Sequence, residues 1–192
     1  MPSEQYYKKA DAEAGEYLME VLRRLETLPP EAKKAIDLGC GNGRDTLAML
    51  EKGWQVLAVD VNPDALAHLE QRVDPALKNK LTLLPASFEQ VMWWENVMLV
   101  NASYSLPFCP PGAFPEVWRQ LTQSLKKGGV FYGHLFGVHE GWKSLILHTK
   151  AEVEALLEDF AIESLVEAEF DRLSMSGVEK HWHVFEIWAV KR

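Results

Sequence analysis

The chemistry that this sequence can support starts at residues 37–44, which read Asp-Leu-Gly-Cys-Gly-Asn-Gly-Arg. Residues 35–38 indicate the end of a buried strand, and the helix-forming run 45–52 follows and stops at Gly53. Glycines at such a turn let the backbone bend tightly and let a ligand lie against it without a Cβ in the way. Because the first turn of a helix has unpaired N–H groups, the segment predicts a cradle for a nucleotide-like ligand.

A second acidic residue stands where a ligand of this kind needs one. Residues 54–60 form a nearly continuous apolar run that ends in Asp60, which is typical of a parallel strand buried on both faces. Asp60 lies 21 positions after Gly39 (60 − 39 = 21), and a carboxylate at about that distance accepts hydrogen bonds from ribose hydroxyls. Several classes of nucleotide-binding enzyme share this device, and a helix cap or a solvated charge is the alternative. Asp60 alone therefore does not identify the ligand.

The spacing of the glycines separates two classes of ligand. A dinucleotide-binding turn reads G-x-G-x-x-G, and its third glycine would fall on Arg44. Residues 37–43 instead read D-x-G-x-G-x-G, which resembles the first motif of the class I S-adenosylmethionine-dependent methyltransferases. A structural turn that binds nothing is the alternative. The resemblance extends over residues 11–192, and its specific segments are residues 35–44 and 54–60.

The elements that must position these residues alternate between strands and helices, so the sequence predicts an α/β fold. Helices are expected at residues 11–26, 45–52, 62–73, 114–127 and 149–160, and strands at residues 35–38, 54–60, 80–84, 97–101, 130–136, 162–170 and 181–190. The last two strands are joined by a short polar turn, which makes them antiparallel neighbours. Together with the resemblance, this predicts a Rossmann-like, doubly wound, mostly parallel seven-stranded sheet with a C-terminal antiparallel strand.

The resemblance implies that S-adenosylmethionine binds, and it assigns the residues that hold it. These residues are Asp37, Gly39, Cys40, Gly41, Gly43 and Arg44 in the turn, Asp60 and Val61 after the second strand, and Ser87, Phe88 and Asn101 in later turns. Two positions depart from the family pattern. Ser87 or Ala86 stands where an aspartate usually binds the adenine amino group, and Asn101 stands where an acidic residue is frequent. Phe88 fits either a wall for the base or a core position.

The chemistry that follows is undemanding, because a methyl group on a sulfonium is already activated. The enzyme mainly holds nucleophile, methyl and sulfur in line and excludes water. An acceptor that carries a proton at neutral pH also needs a general base. His134, near the end of the predicted fifth strand, is the first candidate, and Tyr104, His139 and His181 follow. Each of these could instead be structural, and a thiol, selenol or tellurium anion would need no base.

The single small domain is similar to small-molecule methyltransferases of the tellurite-resistance and thiopurine types. Aromatic side chains that suit a flat acceptor, or else belong to the core, are Tyr104, Phe108, Phe136 and Trp142. The net charge of −8 and the pI near 5.3 oppose binding to a nucleic-acid backbone. No apolar run is long enough to span a membrane, and the polar N-terminus does not resemble a signal peptide.

Cysteine and histidine usage carries two further expectations. The two cysteines, Cys40 and Cys109, do not form a disulfide framework and favour a reducing, cytoplasmic compartment. His181 and His183 point to one face of a strand but lack further ligands, so no metal is expected.

Residues 1–192 are interpreted as one domain, in which residues 1–30, with Tyr6 and Tyr7, would form a helical lid over the bound donor; packing of the tyrosines on the surface is the alternative. Three functions stay open. The first is a methyltransferase acting on a small molecule. A non-catalytic module that binds S-adenosylmethionine is the second, because Ser87 and Asn101 depart from the family pattern. An NAD-dependent oxidoreductase is the third, disfavoured by Arg44 and by the antiparallel ending. The methyl acceptor and the oligomeric state have no recognisable signal.

Overall fold

The computed structural model describes residues 15–142, 145–174 and 177–192, and an eight-stranded sheet runs through them. The strands are β1 (Lys34–Leu38), β2 (Gln55–Asp60), β3 (Leu81–Pro85), β4 (Val97–Ala102), β5 (Leu125–Gly137), β6 (Leu147–His148), β7 (Phe160–Leu173) and β8 (Glu179–Lys191). The α-helices are α1 (Glu16–Arg24), α2 (Arg44–Glu51), α3 (Pro63–Arg72), α4 (Phe114–Ser124) and α5 (Lys150–Leu156). Tyr6 and Tyr7 of the predicted lid lie outside the described residues.

The sheet has the strand order β3-β2-β1-β4-β5-β8-β7, with β6 beside the end of β5. Strands β3, β2, β1, β4 and β5 are mutually parallel neighbours, whereas β8 is antiparallel to both β5 and β7. The predicted doubly wound sheet with an antiparallel C-terminal strand is therefore confirmed. The two-residue strand β6 is an addition that no pattern in the sequence indicated.

The strand order reverses at β1, because the chain moves outward through β2 to β3 and then returns to the other side of β1 as β4. Asp37 of β1 pairs with Ala58 of β2 on one side and with Asn101 of β4 on the other. In open α/β sheets, ligands bind in the crevice outside the carboxyl ends of the strands at such a reversal. The glycine turn after β1 lies at this place.

Apolar residues of the strands alternate between two cores. Ile36 and Leu38 of β1 join the core that includes Trp118 of α4 and Val153 of α5. Ala35, the residue before Ile36, joins the other core, to which α1, α2 and α3 contribute Leu18, Met49 and Leu69, among others. Helices therefore cover both faces of the sheet, as a doubly wound fold requires.

Several boundaries differ from the prediction. Helix α5, for example, ends at Leu156 rather than at residue 160, because Phe160 begins β7. A larger difference lies between α4 and β5. Helix α4 ends at Ser124 rather than at residue 127, and β5 begins at Leu125 rather than at residue 130. The reason is tertiary: the Leu125 side chain is buried, and the residue pairs with Val97 of β4 before the register between the two strands shifts. The glycine pair that was expected to end the helix lies inside this irregular strand.

The starts of two helices follow the predicted capping chemistry. The Asn62 side chain accepts the backbone N–H of Asp64 at 3.0 Å at the start of α3. Thr149 and Glu152 form a reciprocal capping box at the start of α5. None of the helices in the described ranges is long and apolar enough to cross a bilayer.

Candidate functional site

The three glycines of the turn between β1 and α2 serve different purposes. Gly39, Gly41 and Gly43 all have positive φ angles, of 73°, 55° and 84°. A Cβ on Gly39 would overlap the Cβ of Ser105, and a Cβ on Gly43 would overlap the buried Leu69 side chain, so packing alone demands glycine at both positions. A Cβ on Gly41 would have no atom of the described residues within 4 Å. The backbone at Gly41 therefore lies open, and this is where a ligand has room to approach it.

Asp60, at the end of β2, is tied to this open backbone. One carboxylate oxygen of Asp60 accepts the N–H of Gly41 at 2.8 Å, and the other accepts the N–H of Asn62 at 2.8 Å. A carboxylate has about four lone-pair sites, so two remain for donors from a ligand. The structure thus brings together the two residues that the sequence singled out for a nucleoside: the bare backbone of Gly41 and the carboxylate of Asp60.

Asp37 lies in the buried base of the turn, with only 2% of its surface exposed. Its carboxylate accepts the Nδ2–H of Asn101 at 2.7 Å and the hydroxyl of Thr46. The same Asn101 amide also reaches a carboxylate oxygen of Asp45 at 3.3 Å. Asn101 is therefore a donor shared by two buried acids, which gives a physical reason for an amide where the family frequently has an acid.

Burial and, next in size, the neighbouring Asp45 carboxylate raise the pKa of Asp37 to about 7, although the hydrogen bonds from Thr46 and Asn101 act in the opposite direction. The folded chain consequently holds a proton on Asp37 at mildly acidic pH, where the unfolded chain has released it.

The pH dependence of stability follows from this difference. A carboxyl whose folded pKa is raised from 3.8 to about 7 makes the free energy of unfolding fall as pH rises through that window. The slope from one such group is at most about 1.4 kcal/mol per pH unit. Urea unfolding of the wild type and of Asp37→Asn at about pH 5 and about pH 8 should show a steeper loss in the wild type. Parallel profiles would contradict this assignment.

Cys40 and Arg44 flank the open glycine. Burial raises the pKa of the Cys40 thiol well above its ordinary value, so this residue is a neutral, unreactive neighbour of the turn. Arg44, at the first position of α2, donates its Nε–H to Asp45 at 2.9 Å and remains partly exposed. Val61, the residue after Asp60, is exposed at the same edge.

The turn after β3 lies next to Asp60, because the N–H of Ala86 donates to the Asp60 carbonyl at 3.1 Å. The N–H and the hydroxyl of Ser87 lie 3.4 Å and 3.3 Å from the Gln90 side-chain oxygen and cap the short helical turn 88–90. Phe88 is partly buried and packs against the core. Ser87 and Phe88 therefore follow a turn that lies beside the end of β2, and local structure accounts for part of their contacts.

His134 and Tyr104, the first two of the four candidates for acid–base chemistry, are in direct contact. Their rings stack with centroids 3.8 Å apart, and Tyr104 has a positive φ of 53°, which is uncommon outside glycine. Nε2 of the buried His134 lies 3.6 Å from a carboxylate oxygen of Glu186. Among the described residues, its buried Nδ1 has no hydrogen-bond partner. Burial raises the pKa of the Tyr104 hydroxyl, so Tyr104 is the poorer base at neutral pH.

Glu186 is a member of this group that sequence reasoning missed. It stands directly across from His134 in the antiparallel pairing of β5 with β8, and it also accepts the Tyr132 hydroxyl at 2.7 Å. Burial raises its pKa, but the contacts with His134 and Tyr132 outweigh that effect and lower it, so the carboxylate stays ionised. The available signal was an acid inside the otherwise apolar run 184–190.

The aromatic residues that the sequence proposed for a flat acceptor form one cluster at the same edge. Ring centroids of Phe108 lie 6.4 Å from Phe136 and 6.2 Å from Trp142. Trp182, which the sequence analysis did not single out, closes the cluster at 6.1 Å from Tyr104 and 6.0 Å from Trp142. Phe108 and Tyr104 are the members that remain exposed to solvent.

Lys180 fills the interior of this aromatic cluster. Its ammonium lies 3.7 Å from the ring centroids of both Trp142 and Trp182 and forms an ion pair with the fully buried Glu140. Cation–π contacts with the two indole rings and the charge of the carboxylate together stabilise the ammonium in this position. A ligand at this edge must therefore lie against the outer, exposed face that Phe108 and Tyr104 present.

Two surface cavities lie elsewhere, one of about 320 Å³ against α1 and one of about 600 Å³ between α4 and α5. Neither is lined by the glycine turn, by Asp60 or by His134. The candidate site is placed at the carboxyl edge because the chemically distinctive groups converge there.

Comparisons with known proteins point to one class. Residues 35–129 match the family model described as a methyltransferase domain. An uncharacterized methyltransferase of Mycobacterium tuberculosis is 32% identical over 105 residues, which are 54% of this chain. The chain spans 42% of the length of that relative.

Solved structures share the fold at low sequence identity. TehB from Haemophilus influenzae superposes with a TM-score of 0.78 at 15% identity, over 97% of this chain and 66% of that one. The 1,6-didemethyltoxoflavin-N1-methyltransferase of Burkholderia thailandensis, with 1,6-didemethyltoxoflavin and S-adenosylhomocysteine bound, superposes with a TM-score of 0.65 at 20% identity. The superposition covers 95% of this chain and 84% of that one. Magnesium protoporphyrin IX methyltransferase of Synechocystis, with S-adenosylmethionine bound, superposes with a TM-score of 0.67 at 16% identity. The superposition covers 98% of this chain and 80% of that one.

Proposed function

We propose that this chain binds S-adenosylmethionine at the carboxyl edge of its sheet and transfers the methyl group to a small-molecule acceptor, and the match of residues 35–129 to a methyltransferase domain model supports this. The observation that carries this proposal is the open backbone of Gly41, held at 2.8 Å from the Asp60 carboxylate. An adenosyl group needs that combination: bare backbone to lie against and a carboxylate for its ribose hydroxyls.

Different residues around Gly41 contact different parts of the methyl donor in this proposal. Asp60 accepts hydrogen bonds from the ribose, Ser87 and Phe88 border the base, and Arg44 with the first turn of α2 faces the amino-acid end. Asp37 and Asn101, which are buried, hold β1, β4 and α2 in the arrangement that keeps the turn open. Val61 and Cys40 form the remaining border of the same crevice. The transfer itself is an in-line displacement, for which the chain must orient acceptor and donor and exclude water.

His134 is the proposed general base for an acceptor that carries a proton. Glu186 orients the imidazole from the Nε2 side and stabilises the imidazolium, so the proton is taken up at Nδ1, the nitrogen without a partner among the described residues. Tyr104 covers the ring and fixes its plane by stacking. In this scheme Tyr104 positions the base and does not itself move a proton.

Replacing His134 by glutamine should separate base catalysis from donor binding. With a phenol or an amine as acceptor, kcat should fall by about 10²–10⁴-fold, since the proton then has no acceptor. Affinity for S-adenosylhomocysteine should stay unchanged. The measurement is methyl transfer from labelled S-adenosylmethionine. His68→Gln, an exposed histidine of α3, is the matched control. An unchanged kcat in His134→Gln would remove His134 from the mechanism.

The acceptor class is the least constrained part of the proposal. The exposed Phe108 and Tyr104 faces favour a flat or apolar small molecule, and the toxoflavin enzyme acts on a compound of that kind by its name. Transfer from labelled donor to a panel of thiols, phenols, amines and chalcogen oxyanions tests this. A blank across the panel, with S-adenosylhomocysteine still bound, would favour the alternative of a non-catalytic binding module. The single-domain organisation over residues 1–192, the lid role of residues 1–30 and a cytoplasmic location stay predictions.

A further inference from the structure

A group of histidines and carboxylates lies on one face of the β7–β8 hairpin, outside the methyl-transfer site. Glu169 of β7 stands directly across from His183 of β8, and Asp171 stands across from His181. The loop after β5 adds His139, whose Nδ1 lies 3.0 Å from a Glu169 carboxylate oxygen. One ligand atom each from His139, Glu169 and His183 lies within 4.8 Å of the other two. The sequence predicted no metal because the His181–His183 pair lacked further ligands, and the fold supplies them.

His183 is the buried member of this group, and its ring is held in place by the surrounding residues. Only 3% of its surface is exposed, and its ring occupies space that a Cβ on Gly137 would overlap, so the glycine at 137 makes room for it. Its Nε2 lies 3.1 Å from a Glu167 carboxylate oxygen, and its Nδ1 accepts the backbone N–H of His139 at 3.2 Å. This fixes the tautomer: Nε2 carries the proton and Nδ1 carries the lone pair. A carboxylate that holds the second nitrogen of an imidazole is the usual support of a metal-binding histidine.

We propose that His139, His183 and Glu169 form a binding site for a first-row divalent transition ion such as Zn²⁺. Two imidazoles and one carboxylate suit zinc and its neighbours, whereas Mg²⁺ and Ca²⁺ prefer all-oxygen sites. Donor atoms around a tetrahedral zinc ion lie roughly 3.3 Å apart, given bonds of about 2.0–2.1 Å. The donor atoms must therefore move closer together when the ion binds. The side chains of His139 and Glu169 have room to do so, because they are 64% and 42% exposed.

The ion takes the place of two hydrogen bonds. At Nδ1 of His183 it displaces the 3.2 Å hydrogen bond from the His139 N–H, while the bond to Glu167 remains. At Glu169 it replaces the hydrogen bond from His139. The fourth position stays open to water or to His181, whose Nε2 is 3.1 Å from the other Glu169 oxygen.

The site would join two elements that border the proposed acceptor face. The loop that carries His139 also carries Glu140, which accepts the backbone N–H of His183 at 3.3 Å, and Trp142 of the aromatic cluster. An ion bridging His139 to the hairpin therefore cross-links this loop to β7 and β8. The proposal does not depend on methyl transfer, because the ligands lie outside the glycine turn.

The test is titration of the untagged chain of residues 1–192 with Zn²⁺ by calorimetry, and with Co²⁺ by visible absorption. We expect about one ion per chain, a Co²⁺ spectrum of a four- or five-coordinate site, a higher Tm with Zn²⁺, and no binding of Mg²⁺. His139→Ala and Glu169→Gln should each weaken Zn²⁺ binding by about tenfold or more, and Glu167→Gln by about 10–100-fold.

Controls separate this site from other ligands in the chain. His68→Ala removes an exposed histidine on α3 and should leave Zn²⁺ affinity unchanged. Cys40→Ser and Cys109→Ser remove the two thiols and should also leave it unchanged. The proposal is overturned if Zn²⁺ does not bind, or if His139→Ala and Glu169→Gln bind it as the wild type does.

Discussion

Replacing Gly41 by asparagine is expected to abolish binding of S-adenosylhomocysteine while the chain stays folded. Asparagine adopts the left-handed conformation more readily than other residues with a Cβ, and in the part of the chain that the structure describes no atom lies within 4 Å of a Cβ at this position. The free energy of unfolding should therefore change by about 1 kcal/mol or less. The new side chain occupies the space against which the ligand lies, so the dissociation constant should rise by about 100-fold or more, equivalent to about 3 kcal/mol. Calorimetric titration and urea unfolding measure the two effects.

The matched control is Gly39→Ala, a smaller change in the same turn. Its Cβ would overlap that of Ser105 at a φ of 73°, so we expect the free energy of unfolding to fall by about 2–4 kcal/mol from overpacking and backbone strain. Ser105→Gly in that background should restore part of the loss. Wild-type affinity in Gly41→Asn would show that the ligand does not lie against Gly41.

Replacing Asn101 by aspartate is expected to destabilise the chain strongly, although the family frequently has an acid at this position. The Asn101 amide donates to Asp37 at 2.7 Å and lies 3.3 Å from Asp45, with 1% of its surface exposed. An aspartate there places three carboxyl groups together in a buried space and removes their shared donor. Uncompensated buried charge of this kind costs about 3–5 kcal/mol.

The loss in Asn101→Asp should depend on pH. At about pH 8 the full deficit in the free energy of unfolding is expected, and it should shrink toward about pH 4, because protonated carboxyls donate hydrogen bonds to their neighbours. Urea unfolding across this range measures it. Asn79→Asp, the same change at an exposed position without a positive φ, should lie within about 0.5 kcal/mol of the wild type. A wild-type-like Asn101→Asp would mean that Asp37 and Asp45 do not share this amide.

The parts of the site that could be predicted from sequence are those with local signals. The glycine pattern at residues 39–43 and the apolar run that ends in Asp60 are each a short, continuous stretch of sequence. Because the turn joins the end of β1 to the start of α2, it has to lie at the carboxyl edge of the sheet. The antiparallel ending was also predictable, because side chains alternate with a period of two over residues 162–171 of β7, with the charged residues on one side.

The parts that could not be predicted depend on the register between distant strands. Nothing local pairs Glu186 with His134, which lie opposite each other only because β8 inserts between β5 and β7. Strand β7 lies at the edge of the sheet, and the carboxylates of its charged side face the histidines of β8. Lys180 sits among aromatic rings for the same reason, because β8 meets the loop after β5.

The central claim is tested most directly by calorimetric titration of the chain with S-adenosylhomocysteine and, separately, with NAD. The account predicts that S-adenosylhomocysteine binds in the micromolar range, that NAD does not, and that Asp60→Ala weakens the first by about 1–3 kcal/mol through loss of charge-assisted hydrogen bonds. Binding of NAD alone, or an affinity for S-adenosylhomocysteine that Asp60→Ala leaves unchanged, would contradict it.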